Sequence, residues 1–298
     1  MLVNLNEVLT DARLKRYAVG LFNATDSDML QATVDAAEEM GSPIIIGTAE
    51  VLLPFGDLSL IAPGLIARAK TASVPVVVHY DHGLTFHRCI EALNLGFSSV
   101  MFDGSANSYD ENIAQTREIV KIAHSMGASV EGEIGHVGSA DANSAEGSGE
   151  GDNSQYTTVQ EAVDYVKATG VDALAISIGT AHGAYKSAPK LDIQRLREIR
   201  EAVNVPLVLH GGSGLADSDF RNCIENGIAK VNIFTDICIA GNEAIKKVIN
   251  TDMHYLEIRN KKVEAMKHEV KKKMQLFGSV NRYYNIHSDI VLKAHAVN

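Results

Sequence analysis

Hydrophobic and polar positions follow two regimes along this chain. Short runs dense in apolar residues, bounded by Gly, Pro or polar clusters, read as strands, and longer amphipathic stretches between them carry helical spacing. Eight strands are predicted: Tyr17 to Phe22, Ile44 to Gly47, Val76 to His79, Ser98 to Phe102, Ala128 to Glu133, Ala173 to Ile178, Leu207 to His210 and Lys230 to Phe234. The helices between them are expected over 28–40, 59–71, 84–95, 110–126, 159–169, 192–203 and 217–226. Glycines 41, 96, 127, 170 and 227 stand where a helix end calls for a left-handed residue. Ser42-Pro43, Val74-Pro75 and Val205-Pro206 lead into strands, a position that tolerates proline.

Eight strand-then-helix repeats in about 250 residues predict a closed parallel (β/α)8 TIM barrel in preference to an open doubly wound sheet. No GxGxxG follows the first strand, which weakens a dinucleotide-binding alternative. A helical C-terminal extension, from about 236 to 277 and rich in Lys and Glu, reads as a solvated face with a packing or oligomer contact. The whole chain, 1–298, is expected to form one domain. Gly135 to Tyr156 holds almost nothing apolar, and loops of that length are usually lids or disordered.

Composition narrows the function. A formal charge of −10 argues against a nucleic-acid surface, so an anionic ligand has to be met by a local site. No apolar run approaches the roughly 20 residues that span a bilayer, and the first residues lack a secretory stretch, which implies a soluble, cytoplasmic protein. Cys89, Cys223 and Cys238 are widely spaced and odd in number, so reduced, packed thiols are expected.

Loops after the strands of a barrel converge on one mouth, so residues far apart in sequence can meet there. His79-Tyr80-Asp81-His82-Gly83 ends the third strand, Gly179-Thr180-Ala181-His182-Gly183 follows the sixth, and His210-Gly211-Gly212-Ser213-Gly214 ends the seventh. Three histidines thus reach one rim, a set that suits Zn²⁺ with an open fourth position. His87, His124, His254, His268, His287 and His295 read as structural or solvent-facing, and His136 opens the long loop. Asp81 suits a general acid/base, its alternative being a carboxylate that orients His79 or a ligand histidine. Asp103 and Glu133 end the fourth and fifth strands and are suited to a second cation or to orienting the histidines. Gly211, Gly212 and Ser213, with Asn232, Ile233, Phe234 and Thr235, occupy the two loops where barrels often bind phosphate.

YDHG, GTAHG, LHGGSG and KVNIFT, in this order and spacing, resemble the class II fructose-bisphosphate and tagatose-bisphosphate aldolases, from AVGLFN to LFGS. The resemblance implies that His82, His182 and His210 bind a catalytic zinc and that Asp81 transfers the proton. It implies that Gly183, Gly211 to Ser213 and Asn232 to Thr235 contact dihydroxyacetone phosphate, that Asn23 contacts substrate, and that Asp103 and Glu133 belong to a second cation site, divalent or monovalent. A sugar-phosphate substrate and a homo-oligomer, dimer or tetramer, are expected with it. Zinc would carry the charge released when the carbon-carbon bond breaks, so no covalent intermediate is needed. A Schiff-base aldolase would need a desolvated lysine within the barrel; the sixth strand has none, and Lys230 is expected at the N-terminal end of the eighth.

Two departures stand out. Where the family has a serine after the second strand, this chain reads Ile46-Gly47-Thr48-Ala49-Glu50-Val51, and the long loop carries Asp141, Glu146 and Glu150 in place of the family's usual acidic stretch. These bear on which ketose phosphate is cleaved. A metal-dependent hydrolase or epimerase is disfavoured because the first strand lacks a His-x-His pair. The intact Asp81 disfavours a catalytically silent sugar-phosphate-binding protein.

Overall fold

The computed structural model describes residues 1–135, 137–139, 156–182 and 189–283. Eight parallel strands close into a barrel: Val19–Asn23, Ile44–Ala49, Val76–Gly83, Ser99–Phe102, Ser129–Ile134, Ala173–Ile176, Leu207–Leu209 and Ile228–Ile233. Each pairs with the next, and the eighth pairs with the first through Lys230 opposite Val19 and Ile233 opposite Phe22. The chain is a (β/α)8 barrel with a helical C-terminal region, as its repeat pattern predicts.

Alternation along each strand sorts the side chains. Outward residues such as Ile44, Ile46, Val76, Val78, Val130, Val231 and Ile233 pack beneath the surrounding helices. Inward residues Val19, Leu21, Ile45, Val77, Ala173, Ala175 and Val208 fill the lower lumen as a separate apolar cluster. Cys89 and Cys223 are buried free thiols.

A helix not anticipated from the sequence, Leu5–Lys15, closes the bottom of the barrel. Asn4 and Glu7 form a capping box at its start, and Leu5, Val8, Leu9 and Ala12, on one face, enter the lower cluster. Burial of each larger side chain contributes about 1.5–3 kcal/mol. Leu5 N also donates to Ser129 Oγ (2.9 Å), fixing the plug to the fifth strand.

The expected 236–277 extension is two helices, Thr235–Val248 and Tyr255–Phe277. The second buries Val263, Met266, Val270, Met274 and Phe277 along one stripe. It lies on the helix Ser27–Met40, where Arg259 and Lys262 pair with Asp28 at 2.7 and 2.6 Å, and Lys267 and Lys271 pair with Glu39.

Candidate metal and acid/base site

Adjacent residues of a regular strand face opposite ways, yet Asp81 and His82 both enter the barrel mouth. The third strand pairs with the fourth through Tyr80 opposite Val100 and then Gly83 opposite Phe102, so an extra residue bulges between them. His82 takes up the bulge with φ +43°, a left-handed conformation that costs a side chain of order 1–3 kcal/mol and marks functional sites. Gly83 follows because a Cβ there would lie 2.5 Å from Cys89 Sγ and 2.7 Å from Met101 O.

His82, His182 and His210, all buried, meet at the mouth with candidate ligand atoms within 4.8 Å of one another. The outward nitrogens of two are already engaged: His82 Nδ1 lies 2.8 Å from Asp103 Oδ2, and His210 Nε2 lies 2.8 Å from Glu131 Oε1. That leaves His82 Nε2 and His210 Nδ1 facing each other at 2.8 Å. Burial, then the neighbouring histidines, push the pKa values of His182 and His210 down. Burial opposes the charge on His82, but Asp81, Asp103 and Glu133 outweigh it and raise its pKa to about 10. Imidazoles oriented by carboxylates are the donors a divalent metal takes.

His182 reaches the cluster from a two-residue strand, Ala181–His182, which pairs in parallel with Gly138–Ser139 of the fifth-strand loop. Gly211 packs against the same segment with φ +65°, and a Cβ on it would lie 2.4 Å from Ala181 O.

Asp81 is held by amides. Asn23 Nδ2 donates to Oδ2 at 2.9 Å, and Asn232 Nδ2 approaches Oδ1 and Oδ2 at 3.0 and 3.2 Å. Burial would raise its pKa, but positive charge at His82 and Lys230 prevails and holds the carboxyl well below its usual range. His79 Nε2 is 3.8 Å away, beyond hydrogen-bond reach, and His79 Nδ1 partners Ser99 Oγ instead. Asp81 therefore does not orient His79; it is itself oriented.

Beneath this layer lies a pair that the sequence did not disclose. Lys230 Nζ sits 2.8 Å from Glu131 Oε2 as an ion pair and donates to Asn232 Oδ1 at 2.8 Å, all within a fully buried environment. The expectation that Lys230 lies at the N-terminal end of its strand is corrected. The strand begins at Ile228, and a register shift opposite Leu207 and Val208 brings Lys230 into the lumen. The available signal was the two-residue spacing of Glu131 with Glu133 and of Lys230 with Asn232.

Glu133 is buried with Oε2 unpartnered, and its pKa rises well above normal through burial and then through Asp103. With His82 and Asp103 it forms a second group of closely spaced candidate ligand atoms. Asp103 accepts from Ser105 N and Oγ as well as engaging His82, so of the two carboxylates it is the one that orients a histidine.

On the opposite rim Ser213 Oγ accepts from Phe234 N at 3.3 Å. The helix from Thr235 starts at Phe234 with no side-chain cap; Ile237 N donates back to Phe234 O, so the N–H groups of Thr235 and Asp236 are the ones a ligand could meet. The Ile233 side chain packs in the outer core, and only its backbone can face the mouth. Gly183, His136, Asp141, Glu146, Glu150, His287 and His295 lie outside the described residues.

The comparisons with known proteins give this barrel its class. The pattern of the class-II fructose-bisphosphate aldolase family matches residues 3–282, and the chain belongs to that family. It is an aldehyde-lyase of a family that acts on sugar phosphates and is generally metal-dependent. The chain is 39% identical over 282 residues to the YdjI protein of Escherichia coli K12, covering 94% of this chain and 98% of that one. It is 37% identical over 288 residues to a fructose-bisphosphate aldolase of Staphylococcus aureus, covering 94% and 99%. The crystal structure of the YdjI aldolase superposes with a TM-score of 0.85 at 36% identity, covering 95% and 100%. Among the described residues no helix is long and apolar enough to cross a membrane.

Proposed function

We propose that this chain is a zinc-dependent aldolase that reversibly cleaves a ketose phosphate, such as fructose 1,6-bisphosphate or tagatose 1,6-bisphosphate, to dihydroxyacetone phosphate and an aldehyde. The observation that carries the reading is a doubly amide-bound Asp81 beside three histidines, two of whose outward nitrogens are fixed by carboxylates. His82 through Nε2, His210 through Nδ1 and His182 would hold the zinc. When bound, the ion supplies a Lewis acid toward the ketone and hydroxyl oxygens of the substrate.

The remaining work falls to the chain's own groups. Asp81 takes the proton from the hydroxyl whose carbon becomes the aldehyde and returns it in the condensation direction. Asn23 and Asn232 keep the carboxylate aimed and ionised, and the unpartnered, buried Asn23 Oδ1 is left for a substrate hydroxyl. Backbone N–H groups of Gly211 to Ser213 and of the helix starting at Thr235, with the Ser213 and Thr235 hydroxyls, receive the phosphate of the three-carbon ketone. Gly183 is assigned to the same ligand by resemblance. A second cation, divalent or monovalent, would be held by Asp103 and Glu133 beside His82, supported by the unpartnered Glu133 Oε2. A homo-oligomer, dimer or tetramer, is supported by Phe55, Leu60 and Tyr255, which are 70%, 79% and 75% exposed.

One observation favours a ketose 1-phosphate without a distal phosphate. Lys230 is the single cation within the four motifs and is engaged inside the barrel, while Ala49, at the departed serine position, is buried and offers no hydroxyl. The test is a panel of ketose mono- and bisphosphates assayed for dihydroxyacetone phosphate release, before and after chelation. Activity should vanish with the metal and return with Zn²⁺. Full turnover by verified metal-free protein, or borohydride trapping of substrate on a lysine, would overturn the reading. A preference near 10³-fold for a bisphosphate, about 4 kcal/mol in transition-state binding, would reject the monophosphate alternative.

A further inference from the structure

The Lys230–Glu131 pair lies directly under the proposed chemistry without touching the mouth. An asparagine amide has no strong preference between its two flipped states, because oxygen and NH2 are nearly the same size, and its partners decide. Here both ends of Asn232 are constrained. Lysine offers only donors, so the Asn232 atom 2.8 Å from Lys230 Nζ has to be the oxygen. With the oxygen turned to Lys230, the atom facing Asp81 at 3.0 and 3.2 Å is the NH2. Without Lys230 the lower constraint disappears.

Glu131 has a matching task. Its Oε1 takes His210 Nε2, which turns His210 Nδ1 toward the histidine cluster, while Oε2 balances the ammonium. The pair therefore has one arm on a proposed metal ligand and one on the amide that aims the proposed acid/base. Lys230 Nζ is taken up by Glu131 Oε2 and Asn232 Oδ1, both at 2.8 Å, so its contact with the upper layer runs through Asn232.

We propose that Lys230 is a positioning residue that locks the Asn232 side-chain amide with its NH2 toward Asp81, so that proton transfer depends on a lysine that never meets substrate. The inference rests on the aldolase reading for its effect on turnover, but the amide lock itself does not.

The experiment uses the full chain, selectively labelled with 15N-asparagine, as wild type and as the charge-neutral double variant Lys230→Met/Glu131→Gln, which retains an acceptor for His210. In wild type the Asn232 side-chain resonances, assigned by their loss in Asn232→Ala, should be strongly protected from solvent exchange with or without Zn²⁺. In the double variant they should shift and lose protection, metal content should stay at the wild-type level, and kcat should fall about 10- to 100-fold, the scale seen for outer positioning groups, with KM little changed. Asn232→Ala should then cost less on that background than on wild type, because the two changes act on one interaction.

Unaltered Asn232 resonances in the double variant would overturn the proposal whatever the turnover. Independent, multiplicative losses in kcat would overturn it as well. If the double variant fails to fold, the wild-type spectrum still decides, because Asn232 protons that exchange like those of exposed amides are incompatible with the lock. Moved resonances in a protein that cleaves no ketose phosphate would sink the aldolase reading and leave the lock standing.

Discussion

The lower and upper halves of the barrel lumen are built from the same strands but do different work. Below, Leu21, Ile45, Val77, Ala175 and Val208 meet the plug helix in an apolar cluster. Above, the same strands present Asn23, His79, Asp81, His210, Lys230 and Asn232, all buried and nearly all paired. The third strand changes character within three inward positions, Val77, His79 and Asp81. The lower half supplies the free energy that keeps the upper half assembled, since buried polar groups contribute little net stability of their own and are costly when unpaired. Substitutions at the two levels should therefore leave different signatures.

The largest loss of turnover is expected for His210→Ala, which removes a proposed zinc ligand and leaves Glu131 Oε1 without its partner. Metal analysis should show loss of bound zinc, and activity should fall to background. Retention of a full metal equivalent would break the assignment of the upper layer. Next comes Asp81→Ala, which should keep zinc and fold while kcat drops by about 10²-fold or more, the usual scale for a positioned acid/base. Near-normal turnover would move the proton to Glu133 or the loop acids. A smaller effect is expected for Asp103→Ala, where the His82 ring loses its orienting carboxylate and zinc affinity should weaken about 10- to 100-fold. A competition titration with a chelator of known affinity reads this directly, and an unchanged affinity would show that the bulge alone aims His82. The least effect on turnover belongs to Leu9→Ala in the plug, which should lower stability by about 2–5 kcal/mol in denaturant unfolding while kcat stays at the wild-type value. A matching fall in kcat for the folded variant would show that the two halves are not separable.

Much of this arrangement was legible in the sequence, for identifiable reasons. Apolar runs with helix punctuation located all eight strands, because parallel strands buried on both faces are nearly continuous in Val, Ile, Leu and Ala. The three histidines declared themselves by their places at or just after strand ends, and the fold brings them together. The plug helix was passed over although Asn4, Glu7 and the spacing of Leu5, Val8, Leu9 and Ala12 signal a capped amphipathic helix. The two bulges were not readable. Strict alternation would send Asp81 and His82 to opposite faces, and only pairing with the fourth strand reveals that it fails there. Lys230 was misplaced along its strand, which starts two residues earlier, at Ile228, across a register shift against the seventh strand. Pairing partners, rather than local propensity, decide such positions.

One small feature ties distant parts of the molecule into a single thermodynamic unit. Gly138 and Ser139 pair with Ala181 and His182, so the backbone that presents one histidine of the cluster is shared between the fifth-strand and sixth-strand loops. Linkage makes the consequence reciprocal: to whatever factor a cation bound at His182 favours this pairing, the pairing favours the cation. An occupant of the mouth that pulls the fifth-strand loop away would loosen the metal by that same factor, and one that draws the loop in would tighten it. Metal affinity measured in the empty barrel and in the loaded one are then two readings of a single coupled equilibrium.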